Sequence, residues 1–189
     1  VNLRWLPNAI CVGRMILVAP VAWSLVAGRY ELTLVLFAVA AVSDAADGWL
    51  AKTFGWTSEL GKALDPVADK LLLVTVFTTL AALALVPLWL TAAAVVRDVV
   101  IAGGAIAYHR LFGRLDGGPS RISKANTGLQ VAYLVAVIGN AAWHDVPDAV
   151  VTVLGAATFV TTVVSGIDYV LRYSRLARRG GAAAVGAGG

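Results

Sequence analysis

Apolar runs of about twenty residues, separated by short breaks, fill most of this 189-residue chain. A membrane-crossing helix needs roughly 20 mostly apolar residues. Six stretches come close to that length: 9–27, 31–51, 65–86, 88–108, 125–142 and 149–172. Pro87 and Pro147 fall between stretches, where a residue that lacks an N–H and clashes with the preceding turn ends a helix. Gly117, Gly118 and Pro119 punctuate a loop before the fifth stretch. Charged residues make up only 14% of the chain, against about 25% in an average soluble domain. The sequence therefore predicts an all-α integral membrane protein, a six-transmembrane-helix bundle. Residues 1–8, with Arg4 and Trp5, read as a short N-terminal interfacial helix. The bundle itself occupies 9–173, and 174–189 reads as a basic, then Gly/Ala-rich disordered tail.

The net charge of +4 is distributed unevenly. With the N-terminus inside, the inner segments hold Arg4, Lys52, Lys62, Arg110, Arg114, Arg121 and Lys124, and the C-terminal segment adds Arg172, Arg175, Arg178 and Arg179. The outer loops hold only Arg29. Lys and Arg mark cytoplasmic loops, so both termini and the 52–62 turn are expected on the cytoplasmic side of an inner membrane. No dense Lys/Arg run precedes the last dozen residues, which argues against nucleic acid as a partner. Cys11 is the single cysteine and His109 and His144 the two histidines. That set supports neither an internal disulfide nor a zinc site, and Cys11 reads as a packed helix residue. The opening apolar run continues too far for a cleavable signal peptide.

Four aspartates flank the 52–62 turn. Asp44 and Asp47 are three apart at the end of the second stretch, and Asp65 and Asp69 are four apart at the start of the third. Spacings of three and four put each pair on one helix face. A short connection makes the two helices antiparallel neighbours, so the four carboxylates can converge near the membrane surface. Carboxylates are costly in a bilayer, about 2.5–3.5 kcal/mol each at its centre and less near the interface, and close anions repel. Lys52, Lys62 and Lys70 can offset part of that charge. Two divalent cations do so better, and carboxylate oxygens suit Mg²⁺ or Mn²⁺. A plain salt-bridge hairpin is the competing account. It leaves Gly48, Ala51 and Gly61 unexplained, since small residues there make room for a ligand at the backbone.

The run from Asp44 through Asp47, Gly48, Ala51, Lys52, Gly61 and Asp65 to Asp69 resembles the signature of the CDP-alcohol phosphatidyltransferase family at its characteristic spacing. The resemblance extends over roughly residues 5–173. It implies a six-helix membrane bundle, often a homodimer, with Asp44, Asp47, Asp65 and Asp69 binding metal and Asp69 also acting as general base. Gly48, Ala51, Lys52 and Gly61 would line the cytidine diphosphate site, with Asn8 and Arg14 as further donor-side contacts. The family usually has Arg where this chain has Lys52, which keeps the charge and loses the bidentate fork. The implied reaction moves a phosphatidyl group from CDP-diacylglycerol to an alcohol and releases CMP. In it two metals clamp the diphosphate and Asp69 takes the acceptor proton.

The acceptor must be read elsewhere. Arg97, Arg121, Lys124 and Asn126 form the expected anion pocket for it. Flanking charge is the plain alternative for Arg121 and Lys124, and an ion pair with an acid such as Asp168 is the alternative for Arg97. Arg97–Asp98 and the run 122–130 resemble the cardiolipin-forming branch, whose acceptor is phosphatidylglycerol. The phosphatidylglycerophosphate-forming branch, with glycerol 3-phosphate as acceptor, comes next. A membrane scaffold or transporter is the more distant alternative, and the clustering of the acids at one hairpin rather than at a midplane helix break argues against it.

Overall fold

The structure, a computed structural model, describes residues 6–54, 59–112 and 120–186, with side chains at 10–43, 67–104, 120–172 and 174. Among the described residues it is all-helical: α1 Leu6–Val26, α2 Tyr30–Phe54, α3 Glu59–Ala82, α4 Leu88–Phe112, α5 Arg121–Trp143 and α6 Asp148–Gly186. Each apolar stretch read from the sequence lies largely on its own helix. Of the interfacial segment expected over 1–8, residues 1–5 lie outside the described residues, and residues 6–8 are the first turn of α1. α6 continues to Gly186, beyond residue 173, where sequence alone ended the bundle. Ala182, Ala183 and Ala184 in that extension are strong helix formers. Among the described residues, only Asp148–Arg172 is both long and apolar enough to cross a bilayer, while Ile10–Val26 and Tyr30–Ser43 are apolar but shorter.

The helices gather into two compact units, Val1–Leu88 with Leu134–Val151, and Trp89–Tyr133 with Thr152–Gly189. In the first unit α1 packs on both α2 and α3. Its buried face is Cys11, Arg14, Val18, Val21 and Leu25, the alternating three-and-four spacing of a packed helix seam. α2 contributes Thr33, Phe37 and Ala40, and α3 contributes Ala68, Leu72, Val76 and Leu80. A 2.8 Å hydrogen bond between the fully buried hydroxyls of Ser24 and Thr33 ties α1 to α2.

Two helix ends in this unit turn by the same device. After α1, Gly28 N–H donates to Leu25 O and Arg29 N–H to Ser24 O, with Gly28 at a φ of 67°. This pair of bonds satisfies carbonyls that a helix C-terminus leaves open. After α3 the left-handed position is held by Ala84, φ 58°, and Leu85 N–H closes onto Leu80 O. A side chain there carries the left-handed penalty of about 1–2 kcal/mol. His144, at the end of α5, also has a positive φ, 57°.

In the second unit α5 and α6 run antiparallel in a steady register. Thr162 Oγ1 donates to Asn126 Oδ1 at 2.8 Å, Thr161 Oγ1 to the same atom at 3.0 Å, and Thr158 Oγ1 to Leu129 O at 3.3 Å. Farther along, the Tyr133 ring lies against Gly155, where an added Cβ would be 3.1 Å from the ring. The buried face of α6 is thus Gly155, Thr158, Thr162 and Ser165, while Val153, Val160, Val164, Ile167 and Val170 are exposed. This helix is small and polar inside and apolar outside, as helices in bilayers are.

Candidate active site

Arg14 occupies a core position of α1 and is 1% exposed. A guanidinium so enclosed needs an acid partner, and Arg14 Nη1 donates to Asp69 Oδ1 of α3. The Asp69 side chain remains 40% exposed. The pairing therefore fixes the carboxylate from the protein side and leaves it accessible from the other. Sequence reasoning took Lys52, Lys62 and Lys70 as the charges that offset the acids and placed Arg14 on the donor side. The signal for its true neighbour was available, because an arginine inside an apolar span demands an acid. Nothing in the spacing singled out Asp69 among the four.

Asp44 and Asp47 lie on α2, and Asp65 joins Asp69 on α3. Both helices pack on α1. Asn8 is on α1, Gly48, Ala51 and Lys52 are on α2, and Gly61 is on α3. The side chains of Asn8, Asp44, Asp47, Ala51, Lys52 and Asp65 lie outside the described residues, so the expected convergence of four carboxylates does too. Among the described residues no group of three or more His, Cys, Asp or Glu gathers to hold a metal. What can be tested is Asp69 itself. It is an accessible carboxylate held in place by a buried cation, and the acids placed with it in sequence are all hard oxygen donors. That donor chemistry fits a divalent cation.

The second unit carries the residues expected to bind an acceptor. Arg97 is 5% exposed and has three partners. Nη1 donates to Asp98 Oδ1 at 2.7 Å, and Nη2 donates to Ser123 Oγ and to Ser165 Oγ, each at 2.6 Å. The ion pair is therefore with the adjacent Asp98. Asp168, the acid suggested by sequence, lies 3.6 Å from Arg172 Nε on its own helix. Ser120 caps α5 by accepting the N–H of Ser123 at 3.1 Å, which sets Ser123 in the first turn beside Arg97. Arg121 and Lys124 are exposed on the same turn. Asn126 sits one turn deeper and is fully buried, its Oδ1 engaged by Thr161 and Thr162. Gln130, another turn along, is 1% exposed, and among the described residues neither its Nε2 nor its Oε1 has a hydrogen-bond partner. Ser165 and Thr162 carry no sequence expectation, and Ser123 and Gln130 enter the sequence reading only as part of the run 122–130. Their signal is a polar stripe at three-and-four spacing inside otherwise apolar helices.

A helical chain with a buried arginine fixing an accessible aspartate, inside a motif of four spaced aspartates, can be compared with known proteins. The sequence profile described as CDP-alcohol phosphatidyltransferase matches residues 4–164. The chain belongs to the CDP-alcohol phosphatidyltransferase family. It is 31% identical over 186 residues to a probable cardiolipin synthase (CMP-forming) of Drosophila melanogaster, covering 90% of this chain and 58% of that protein. It is 30% identical over 193 residues to the chloroplastic CDP-diacylglycerol–glycerol-3-phosphate 3-phosphatidyltransferase 1 of Oryza sativa subsp. japonica, covering 92% and 58%. The cardiolipin synthase (CMP-forming) of Homo sapiens is 26% identical over 180 residues, covering 87% and 60%. The chain thus spans about 60% of the length of these relatives.

Proposed function

We propose that this chain is a membrane-embedded phospholipid-synthesis enzyme that transfers the phosphatidyl group of CDP-diacylglycerol to a hydroxyl of phosphatidylglycerol, forming cardiolipin and CMP. The observation that carries the reaction class is Asp69, held accessible by Arg14 at the end of the Asp44–Asp47–Asp65–Asp69 motif. Asp44, Asp47, Asp65 and Asp69 would hold the divalent cations, Mg²⁺ or Mn²⁺. Such cations, when bound, neutralise the diphosphate and the departing CMP. Asn8, Gly48, Ala51, Lys52 and Gly61 would bind the cytidine diphosphate. Asp69 takes the proton from the acceptor hydroxyl. That oxygen attacks the phosphorus bearing the diacylglycerol, and the bond to CMP breaks. Arg14 keeps Asp69 oriented while the proton moves.

The choice of acceptor draws on Arg97. Its charge is already countered in part by Asp98, which suits the single negative charge of a phosphodiester better than a phosphomonoester with up to two. Arg121 and Lys124 would add surface attraction for the head group. The second reading, glycerol 3-phosphate as acceptor, is favoured by the name of the rice relative. The outward apolar surface of α6 supports insertion in the bilayer. Six crossings, cytoplasmic termini, an inner-membrane location and a homodimer belong to the same proposal.

The deciding experiment gives the purified chain CDP-diacylglycerol and Mg²⁺ with phosphatidylglycerol and glycerol 3-phosphate side by side, and identifies the lipid product. Cardiolipin is expected. Phosphatidylglycerophosphate as the only product selects the second reading, and no CMP release with either acceptor would favour the scaffold alternative.

A further inference from the structure

At the end of α2 remote from its aspartates, the first unit has a groove that the reaction as written does not use. It is lined by Arg29, Tyr30, Glu31 and Leu32, where the chain enters α2, and by Ala141 and Ala142 on the last turn of α5. Its volume is about 560 Å³, within the usual range of ligand pockets. The helix from Glu31 to Asp44 covers about 20 Å of axis. Two opposite charges line this groove without closing on each other. Arg29 is exposed and lies over the Trp23 ring, its guanidinium carbon 5.1 Å from the ring centre. Among the described residues it makes no ion pair. Glu31 is exposed too, and its Oε1 accepts from Trp143 Nε1 at 3.0 Å. That bond orients the carboxylate and leaves Oε2, which has no hydrogen-bond partner among the described residues. Each charge is thus positioned by an indole and open to a ligand. Trp23 and Trp143 are themselves exposed, and such rings gather at the membrane–water boundary, level with lipid head groups. From Leu32 in the groove lining, an exposed apolar stripe continues through Val35, Val39 and Val42, at the three-and-four spacing that keeps residues on one helix face.

We propose that this groove binds a zwitterionic phospholipid with a primary ammonium head group, its phosphate on Arg29, its ammonium on Glu31 and one acyl chain along the α2 stripe. The inference rests on the proposed reading that the chain is embedded in a bilayer. Charge complementarity chooses the occupant, because both charged residues line the groove. A guanidinium suits a phosphate. The open Glu31 oxygen can only accept, and a primary ammonium offers it N–H donors, whereas a quaternary ammonium has none. A purely anionic head group would set a second negative charge against Glu31. The stripe separates a lipid from a soluble zwitterion, which has no tail to lay on Val35 and Val39. The motif of the proposed transfer is at the other end of α2, so this lipid is neither its donor nor its acceptor.

The test uses the purified full chain in mild detergent, with lipid binding followed by native mass spectrometry. The probes are phosphatidylethanolamine, phosphatidylcholine with the same acyl chains, and tail-free glycerophosphoethanolamine as competitor. Phosphatidylethanolamine should bind about fivefold or more tightly than phosphatidylcholine, the scale of a hydrogen bond to a charged group, and the tail-free head group should not displace it at equal concentration. Glu31→Gln removes the charge and keeps an acceptor for Trp143 Nε1. Arg29→Gln removes the phosphate partner. Each should weaken phosphatidylethanolamine binding about tenfold and leave CMP release at the wild-type rate. Equal affinity for the two lipids overturns the proposal, as does unchanged phosphatidylethanolamine affinity in both variants. Displacement by the tail-free head group at equal concentration overturns it too, and so does a parallel loss of CMP release, which would make the bound lipid a substrate. A wild-type chain that releases no CMP with any acceptor defeats the reaction reading instead, and one that stays in solution without detergent defeats the bilayer reading. In either case the binding data then decide the groove by themselves.

Discussion

Arg14 in the first unit and Arg97 in the second are both almost fully enclosed, yet their acids are not alike. Asp69 is 40% exposed and Asp98 only 9%. The first pair lies in a seam that is otherwise largely apolar: Cys11, Val18, Val21 and Leu25 along α1, and Leu72, Val76 and Leu80 along α3. The second lies in a polar seam with Ser123, Ser165, Asn126, Thr162 and Gln130. The difference separates two uses of a buried cation. On the proposed reading, the arginine whose partner faces outward holds the reactive group in place. An arginine whose partner is enclosed is part of the interior.

The contrast between the two arginines can be broken by measurement. The largest effect is on activity. Asp69→Asn should lower CMP release by about 10²–10⁴-fold, the range for loss of a general base, with the thermal transition little changed. A near wild-type rate would end its assignment as the base. EDTA should abolish the same signal, and Mg²⁺ or Mn²⁺ should restore it. Next in size is the paired truncation. Arg97→Leu should destabilise by about 3–5 kcal/mol, as when one partner of a buried pair is removed, and Asp98→Leu added to it should restore much of that. Arg14→Leu should leave the fold within about 1 kcal/mol, since a half-exposed Asp69 can be solvated, while turnover falls at least tenfold. Equal stability losses from the two arginine variants, followed by chemical denaturation, would erase the distinction drawn between the units.

Smaller again is Gln130→Leu. A buried amide without partners costs about 1–3 kcal/mol, so its removal should raise the unfolding midpoint. A fall in stability would mean that Gln130 has a partner, such as a bound water. The smallest effect is Ala84→Gly, which relieves a left-handed alanine and should stabilise by about 1 kcal/mol. A destabilised variant would show that the turn after α3 is held by something other than backbone geometry.

Much of the helical layout was legible from apolar run lengths and the two prolines between them. The start of α5 was placed late, at 125, because Arg121 and Lys124 depress hydropathy there, although Ser120 is an ordinary N-cap. The end of α3 was placed late, at 86, because Leu83, Leu85 and Val86 extend the apolar count through a turn. The acids of the candidate site were legible as a motif. The partner of Arg97 was not, because adjacent residues on a helix do not face each other. Only a side chain as long as arginine can curl back to Asp98. The polar stripe of α6 escaped notice for another reason: threonine and serine barely lower an average that valine dominates.

That stripe bears on how the protein is assembled. Thr161 can shelter its hydroxyl on its own helix, bonding Ala157 O and Thr158 O, so α6 could enter a bilayer unaccompanied at small penalty. Asn126 and Gln130 on α5 have amides too large for such self-shelter, and among the described residues the Asn126 Oδ1 accepts from Thr161 and Thr162 of α6. On the proposed reading that the chain crosses the bilayer, α5 would wait with its amides facing hydrocarbon until the last helix is synthesised. Nascent chains halted before residue 148 should therefore be the ones most readily seized by membrane proteases.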